Sequence, residues 1–165
     1  MSDFFSLDFF FKLFASVLGT VGFAILFNVR PRHLLIAGIG GLATFAVYYS
    51  CAFFGVSLFV CAFASAAFAA LFSEIFARIK KAPTAIFLIP AGIPIVPGGD
   101  LYYTMRFLLE GQYNDATGYL LSACKIGIGI AGGIVAVSVI WGLVFNGHFK
   151  NLKNRKKAQK SNTEQ

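Results

Sequence analysis

Asp100 is the one acidic residue between Glu74 and Glu110, and it sits among residues that break a regular backbone. Pro94 and Pro97 precede it, each lacking a backbone donor and crowding the preceding turn. Gly98 and Gly99 stand directly before it, and Tyr102 and Tyr103 follow. An ionisable group at membrane depth is expensive and marks a functional position. There, Asp100 would take up a proton and couple solute movement to a proton gradient; at an outer mouth it would be an exposed loop carboxylate. Free N–H groups at a helix starting near Leu101 attract anions, and broken helices in transporters use such ends to hold a substrate carboxylate. The charge of Asp100 opposes this unless its side chain caps that helix. Tyr102 and Tyr103 read either as hydrogen-bonding groups for a solute or as interfacial aromatics. Lys125 reads as a partner of Asp100, as a contact for an anion, or as a side chain snorkelling to the interface.

Other chemistry is not visible. His33 and His148 each stand alone beside a basic edge, with no metal-ligand spacing, no Ser–His–acid arrangement and no phosphate-binding loop with its lysine. The pattern points to no enzyme, no cofactor and no metal. Cys51, Cys61 and Cys124 lie in apolar surroundings without paired spacing and read as small buried side chains.

The elements that must position these residues are apolar. Of the 165 residues, 58% are hydrophobic and 13% charged, against roughly 25% charged in a soluble domain. The chain reads as an all-α integral membrane protein, with one transmembrane domain over residues 1–149 and a basic cytoplasmic tail over 150–165. The acidic lead containing Asp3 and Asp8 is unlike a cleaved signal. The net charge is +7, and Lys150, Lys153, Arg155, Lys156, Lys157 and Lys160 gather in the tail. That cluster reads as an anchor facing anionic lipid rather than a nucleic-acid site.

About five transmembrane helices are expected, since ~20 apolar residues cross a hydrocarbon core of ~30 Å. The first runs from Phe9 to Phe27. Leu34 to Phe72 carries no charge and, at ~58 Å as one helix, must fold back. Tyr48, Tyr49, Ser50, Gly55 and Ser57 mark that hairpin, giving spans of about Leu34–Phe53 and Val56–Ala77. Thr84–Val96 is too short to cross as a regular helix, so the fourth segment is broken by Pro and Gly. It either crosses as a half-helix with extended backbone or re-enters. The fifth span is expected over about Gly118–Phe145. Basic residues follow spans one, three and five, which puts the N-terminus outside and the C-terminus in the cytoplasm. Glu74 and Arg78, one turn apart, suit an interfacial ion pair. Ala62, Ala66 and Ala70 recur at four-residue spacing, and Gly129 and Gly133 form a GxxxG pair; both patterns favour close helix packing, within or between chains.

Phe27-Asn28-Val29-Arg30-Pro31, then Leu34-Leu35 and Gly38-x-Gly40-Gly41, and the run Pro94-x-x-Pro97-Gly98-Gly99-x-x-Tyr102-Tyr103-Thr104-Met105 resemble the threonine/serine exporter family. More narrowly, they are similar to the small subunit of its split form, which corresponds to the C-terminal membrane half of the fused exporters. The resemblance implies export of small amino acids or of dicarboxylates such as succinate, from the bacterial cytoplasmic (inner) membrane, together with a larger companion subunit. Asn28, Pro31, Pro94, Pro97, Gly98 and Tyr102 fall on its motif positions; Asp100 stands as a variation on its pattern. Size alone also calls for a companion or for self-association, because two related halves around a midplane site are a common carrier design.

Overall fold

The computed structural model describes the backbone of residues 7–163 and the side chains of residues 10–144. Six α-helices follow one another: α1 (Leu7–Leu26), α2 (Pro31–Phe53), α3 (Leu58–Lys80), α4 (Ala85–Gly92), α5 (Gly98–Leu109) and α6 (Tyr113–Thr163), with a 3-10 turn at Ile93–Ile95 between α4 and α5. There is no strand among the described residues. Helix is the expected solution in hydrocarbon, where each backbone donor and acceptor must be satisfied within its own segment. Buried hydroxyls follow the same rule: Thr44, Ser65 and Ser73 donate to the carbonyls of Gly40, Cys61 and Ala69 one turn back.

Among the described residues, three helices are long and apolar enough to cross a membrane: α2, α3 and the Tyr113–Val144 part of α6. The pair Ala85–Ile95 and Gly98–Leu109, bent by 51°, makes a fourth if taken as one broken span. Helix α1, Leu7–Leu26, matches the expected first span of Phe9–Phe27 to within two residues, and its apolar part among the residues with described side chains is Phe10–Leu26. The α2–α3 turn lies where the expected spans leave it, between Phe53 and Val56, although the tyrosines are not part of it. Tyr48, Tyr49 and Ser50 belong to α2, which continues to Phe53, and the turn falls on Phe54 and Gly55. Gly55 adopts φ +71° there, a conformation that favours glycine. Tyrosine is therefore an interior helix residue here and not a turn marker. The last helix is longer than expected, since α6 runs unbroken through the start of the basic tail to Thr163.

Small residues set the helix contacts. On α2, a Cβ added at Gly41 would collide with Thr20 of α1, and one at Gly40 would come within 2.7 Å of the Phe72 ring of α3 and 3.3 Å of Ala91 of α4. Ser16 of α1 donates to the Gly41 carbonyl at 3.4 Å. On α6, a Cβ at Gly129 would meet the Phe59 carbonyl oxygen at 2.7 Å, and one at Gly133 would collide with the Phe63 carbonyl oxygen. Ala62 and Ala66 face these glycines, and Ala62, Ala66 and Ala70 are all buried. The GxxxG pair of α6 and the alanine row of α3 thus meet within one chain, as close backbone approach allows.

The register of that contact places everything else. Gly129 lies by Phe59, Ala62 and Phe63, and Gly133 by Phe63, Ala66 and Ala67, so α3 and α6 run parallel. The first residue of α3, Leu58, is level with about residue 128 of α6. The preceding part of α6 therefore extends ~20 Å beyond the α2–α3 turn. Helix α5 packs along this projecting part: Tyr103 and Phe107 stack on Tyr119 at 5.2 and 5.5 Å. The two form a helical hairpin rooted where α4 ends.

Candidate functional site

Why the fourth segment breaks is local. Pro90 lies inside α4, Pro94 lies in the 3-10 turn, and Pro97 is the residue before α5. Their missing donors leave short substitute bonds: the Val96 N–H donates to the Ile93 carbonyl at 3.2 Å, and the Gly98 N–H to the Val96 carbonyl at 2.7 Å. Helix resumes at Gly98, and the Leu101 N–H reaches back to the Pro97 carbonyl at 3.1 Å. Asp100 falls in the first turn of α5 but makes no capping bond, and Pro97 occupies the cap position. A carboxylate there is favoured by the N-terminal helix dipole. Thr104 donates to the Asp100 carbonyl at 2.7 Å and fixes the turn that follows.

The break opens onto a cavity of about 300 Å³, at the small end of the range for ligand sites. Pro94, Pro97, Gly99 and Asp100 line one side of it, and Tyr48 of α2 and Tyr119 and Ser122 of α6 line the other. Leu58 and Ile126 complete the apolar wall. One carboxylate and three hydroxyl groups thus border a space walled otherwise by apolar side chains. That arrangement suits a small polar solute with its own amino, hydroxyl or carboxyl groups, because each can exchange a hydrogen bond with a wall group. Leu58 begins α3 and Tyr48 lies five residues before the end of α2. The cavity therefore sits within a turn or two of the α2–α3 hairpin, at the root of the α5–α6 hairpin. Among the described residues, no three His, Cys, Asp or Glu side chains gather as metal ligands would.

The other residues singled out in the sequence lie elsewhere. Gly98 is next to the cavity but does not line it, and nothing lies within 4 Å of a Cβ added there. Tyr102 is 64% exposed and faces away. Tyr103 stands behind the wall and stacks on Tyr119, with the rings 5.2 Å apart. Lys125 is exposed on α6 and lines no part of the cavity, so it is not a partner of Asp100 there. Asn28 belongs to the α1–α2 turn with φ +56°. It borders a different, basic cleft together with Arg30, Arg32, Lys80 and Lys81.

Tyr48, Tyr119 and Ser122 were missed. Tyr48 was obscured by the turn assignment. Tyr119, Ser122 and Ile126 follow one another at three and four residues, a single helix face, and two hydroxyl-bearing residues on one face of a crossing helix are the signal that would have found them.

These features define a multi-pass membrane protein with a solute-sized cavity at a broken helix. A family model described as Threonine/Serine exporter, ThrE, matches residues 12–140, and the chain belongs to that transporter family. The match covers every residue that lines the cavity. No curated protein and no solved structure matches the chain.

Proposed function

We propose that this chain is one subunit of a secondary active exporter of small carboxylated metabolites, threonine/serine-type amino acids or dicarboxylates such as succinate, and that it works with a larger companion membrane subunit. The observation that carries this reading is the cavity at the Pro/Gly break, where Asp100, Tyr48, Tyr119 and Ser122 converge. A substrate ammonium would pair with Asp100, and substrate carboxyl or hydroxyl groups would accept from the tyrosines and the serine. For a dicarboxylate, the hydroxyls of Tyr48, Tyr119 and Ser122 would supply the donors.

In the bacterial inner membrane, the basic turns at Arg30/Arg32 and Arg78/Lys80/Lys81 would face the cytoplasm and the cavity would open toward the outside. With α1 and the bent α4–α5 pair both crossing, the count is about five, with the N-terminus outside. A companion is supported by the α5–α6 hairpin. Leu101, Tyr102, Met105 and Leu109 on α5 are exposed, and among the described residues α6 is the helix packed closely along it.

The test is metabolite export from cells carrying both genes, lacking this one, or lacking the companion. Export is expected to require both chains, and Asp100→Asn is expected to reduce it with membrane insertion intact. Undiminished export in cells that lack this chain but keep the companion would leave it a non-transporting assembly subunit.

A further inference from the structure

At the opposite end of α2 and α3, two turns face each other. Asn28, with φ +56°, reverses the chain after α1 so that Arg30 and Arg32 flank the first residue of α2. Lys80 closes the last turn of α3, and Lys81 ends it in the left-handed conformation with φ 52°. Between these turns lies a cleft of about 350 Å³ lined by Asn28, Arg30, Arg32, His33, Lys80 and Lys81. No acidic residue lines it, and none of the four cations is paired with a carboxylate among the described residues.

His33 lies in the wall and is 4% exposed. Its Nε2 accepts a hydrogen bond from the Arg32 Nε–H at 3.3 Å, so a neutral ring carries its proton on Nδ1. That buried Nδ1 donor has no partner among the described residues, and the edge of the ring is held by Phe87 at 5.5 Å. Four unneutralised cations and an unused buried donor form a wall built for anionic oxygen.

A second cavity adjoins the first. About 130 Å³ in volume, it is lined by Phe27, Val29, Ala85, Ile86, Ile89 and Pro90. Ile86 borders both spaces, and Asn28 of the cleft lies between Phe27 and Val29 of the groove. A free phosphate or a small carboxylate would fill the cleft and leave the groove bare. One molecule that is anionic at its head and apolar along its length would occupy both.

We propose that the cleft and groove together are a binding site for an anionic phospholipid. The phosphate sits among Arg30, Arg32, Lys80 and Lys81, and an acyl chain lies along the groove against α4. Basic pockets between membrane helices recognise such headgroups. The occupant would brace α4, the half-helix that leads to the break, from its far end. This proposal does not depend on the exporter reading, because its readout is lipid binding.

The test is native mass spectrometry of the delipidated full chain in detergent, after adding back phosphatidylglycerol or phosphatidylcholine of matched acyl length. Phosphatidylglycerol should be retained about tenfold better. The triple variant Arg30→Gln, Lys80→Gln, Lys81→Gln should lose that preference, whereas Arg30→Lys should keep it. Ile89→Trp, which fills the groove, should weaken retention with the cleft charges intact. Equal retention of the two lipids, or a preference that survives the triple variant, overturns the proposal. Binding of inorganic phosphate with no lipid preference overturns it as well, and makes the cleft a site for free anions.

Discussion

Gly129 of α6 lies against the Phe59 carbonyl of α3 so closely that a Cβ would stand 2.7 Å from the oxygen. Backbone cannot yield as a flexible side chain can. Gly129→Ala should therefore destabilise the fold by about 1–3 kcal/mol through overpacking, even though alanine is the better helix former. Gly127→Ala, with nothing within 4 Å of its added Cβ, should be neutral or slightly stabilising. Thermal unfolding of both variants in the same detergent separates them, and equal melting temperatures would show that the α3–α6 contact is looser than described.

Filling the cavity should stop transport without disturbing the bundle. Ser122 is half-buried in the cavity wall, and Lys125, about one turn further along the same helix, is exposed outside it. Ser122→Trp is expected to cut export at least tenfold, while Lys125→Gln leaves it near the wild-type rate. The measurement is efflux at matched membrane abundance of each variant. Loss in both, or in neither, would move the solute path away from α6.

The break itself is a target. Pro97→Leu restores a donor and a good helix former where the chain now turns, which favours continuing α4 into α5 and closing the cavity. Export should fall about tenfold or more while the protein still inserts. Gly98→Ala, in open space beside it, should have little effect. Undiminished export by Pro97→Leu would show that the bend has no part in transport.

The two adjacent tyrosines should behave differently. The Tyr103 ring stacks on Tyr119 behind the cavity wall, whereas Tyr102 is 64% exposed. Tyr103→Ala should cost stability through the lost aromatic pair, worth about 0.5–1.5 kcal/mol beyond area, and should lower export by releasing Tyr119. Tyr102→Ala should leave the stability of the chain unchanged. If it lowers export all the same, its exposed ring lies at a contact with the proposed companion.

The parts legible in the sequence are those that depend on a residue and its immediate neighbours. Pro94 and Pro97 announce the break wherever they stand, and Asp100 beside them is conspicuous in an apolar region. Basic residues mark the C-terminal end of α3 and the start of α2 because charge must leave the hydrocarbon. Uncharged Leu34–Phe72 had to reverse, and Gly55 marks the turn between the two expected spans, whereas Tyr48 and Tyr49 belong to α2. Tyr48, Tyr119 and Ser122 join Asp100 only through the parallel packing of α3 and α6, a long-range register that no single segment encodes. Asn28 and Lys125 carried suggestive chemistry, but the α1–α2 turn and α6 deliver them to other surfaces.

Helix α6 runs from Tyr113 to Thr163 without interruption, a rod of ~75 Å at the usual rise. Its first turns carry both the hairpin with α5 and the cavity-wall residues Tyr119, Ser122 and Ile126, the next turns pack on α3 through Gly129 and Gly133, and its last turns carry the positive charge of the tail. Any tilt imposed on the hairpin would therefore swing the charged tip as well.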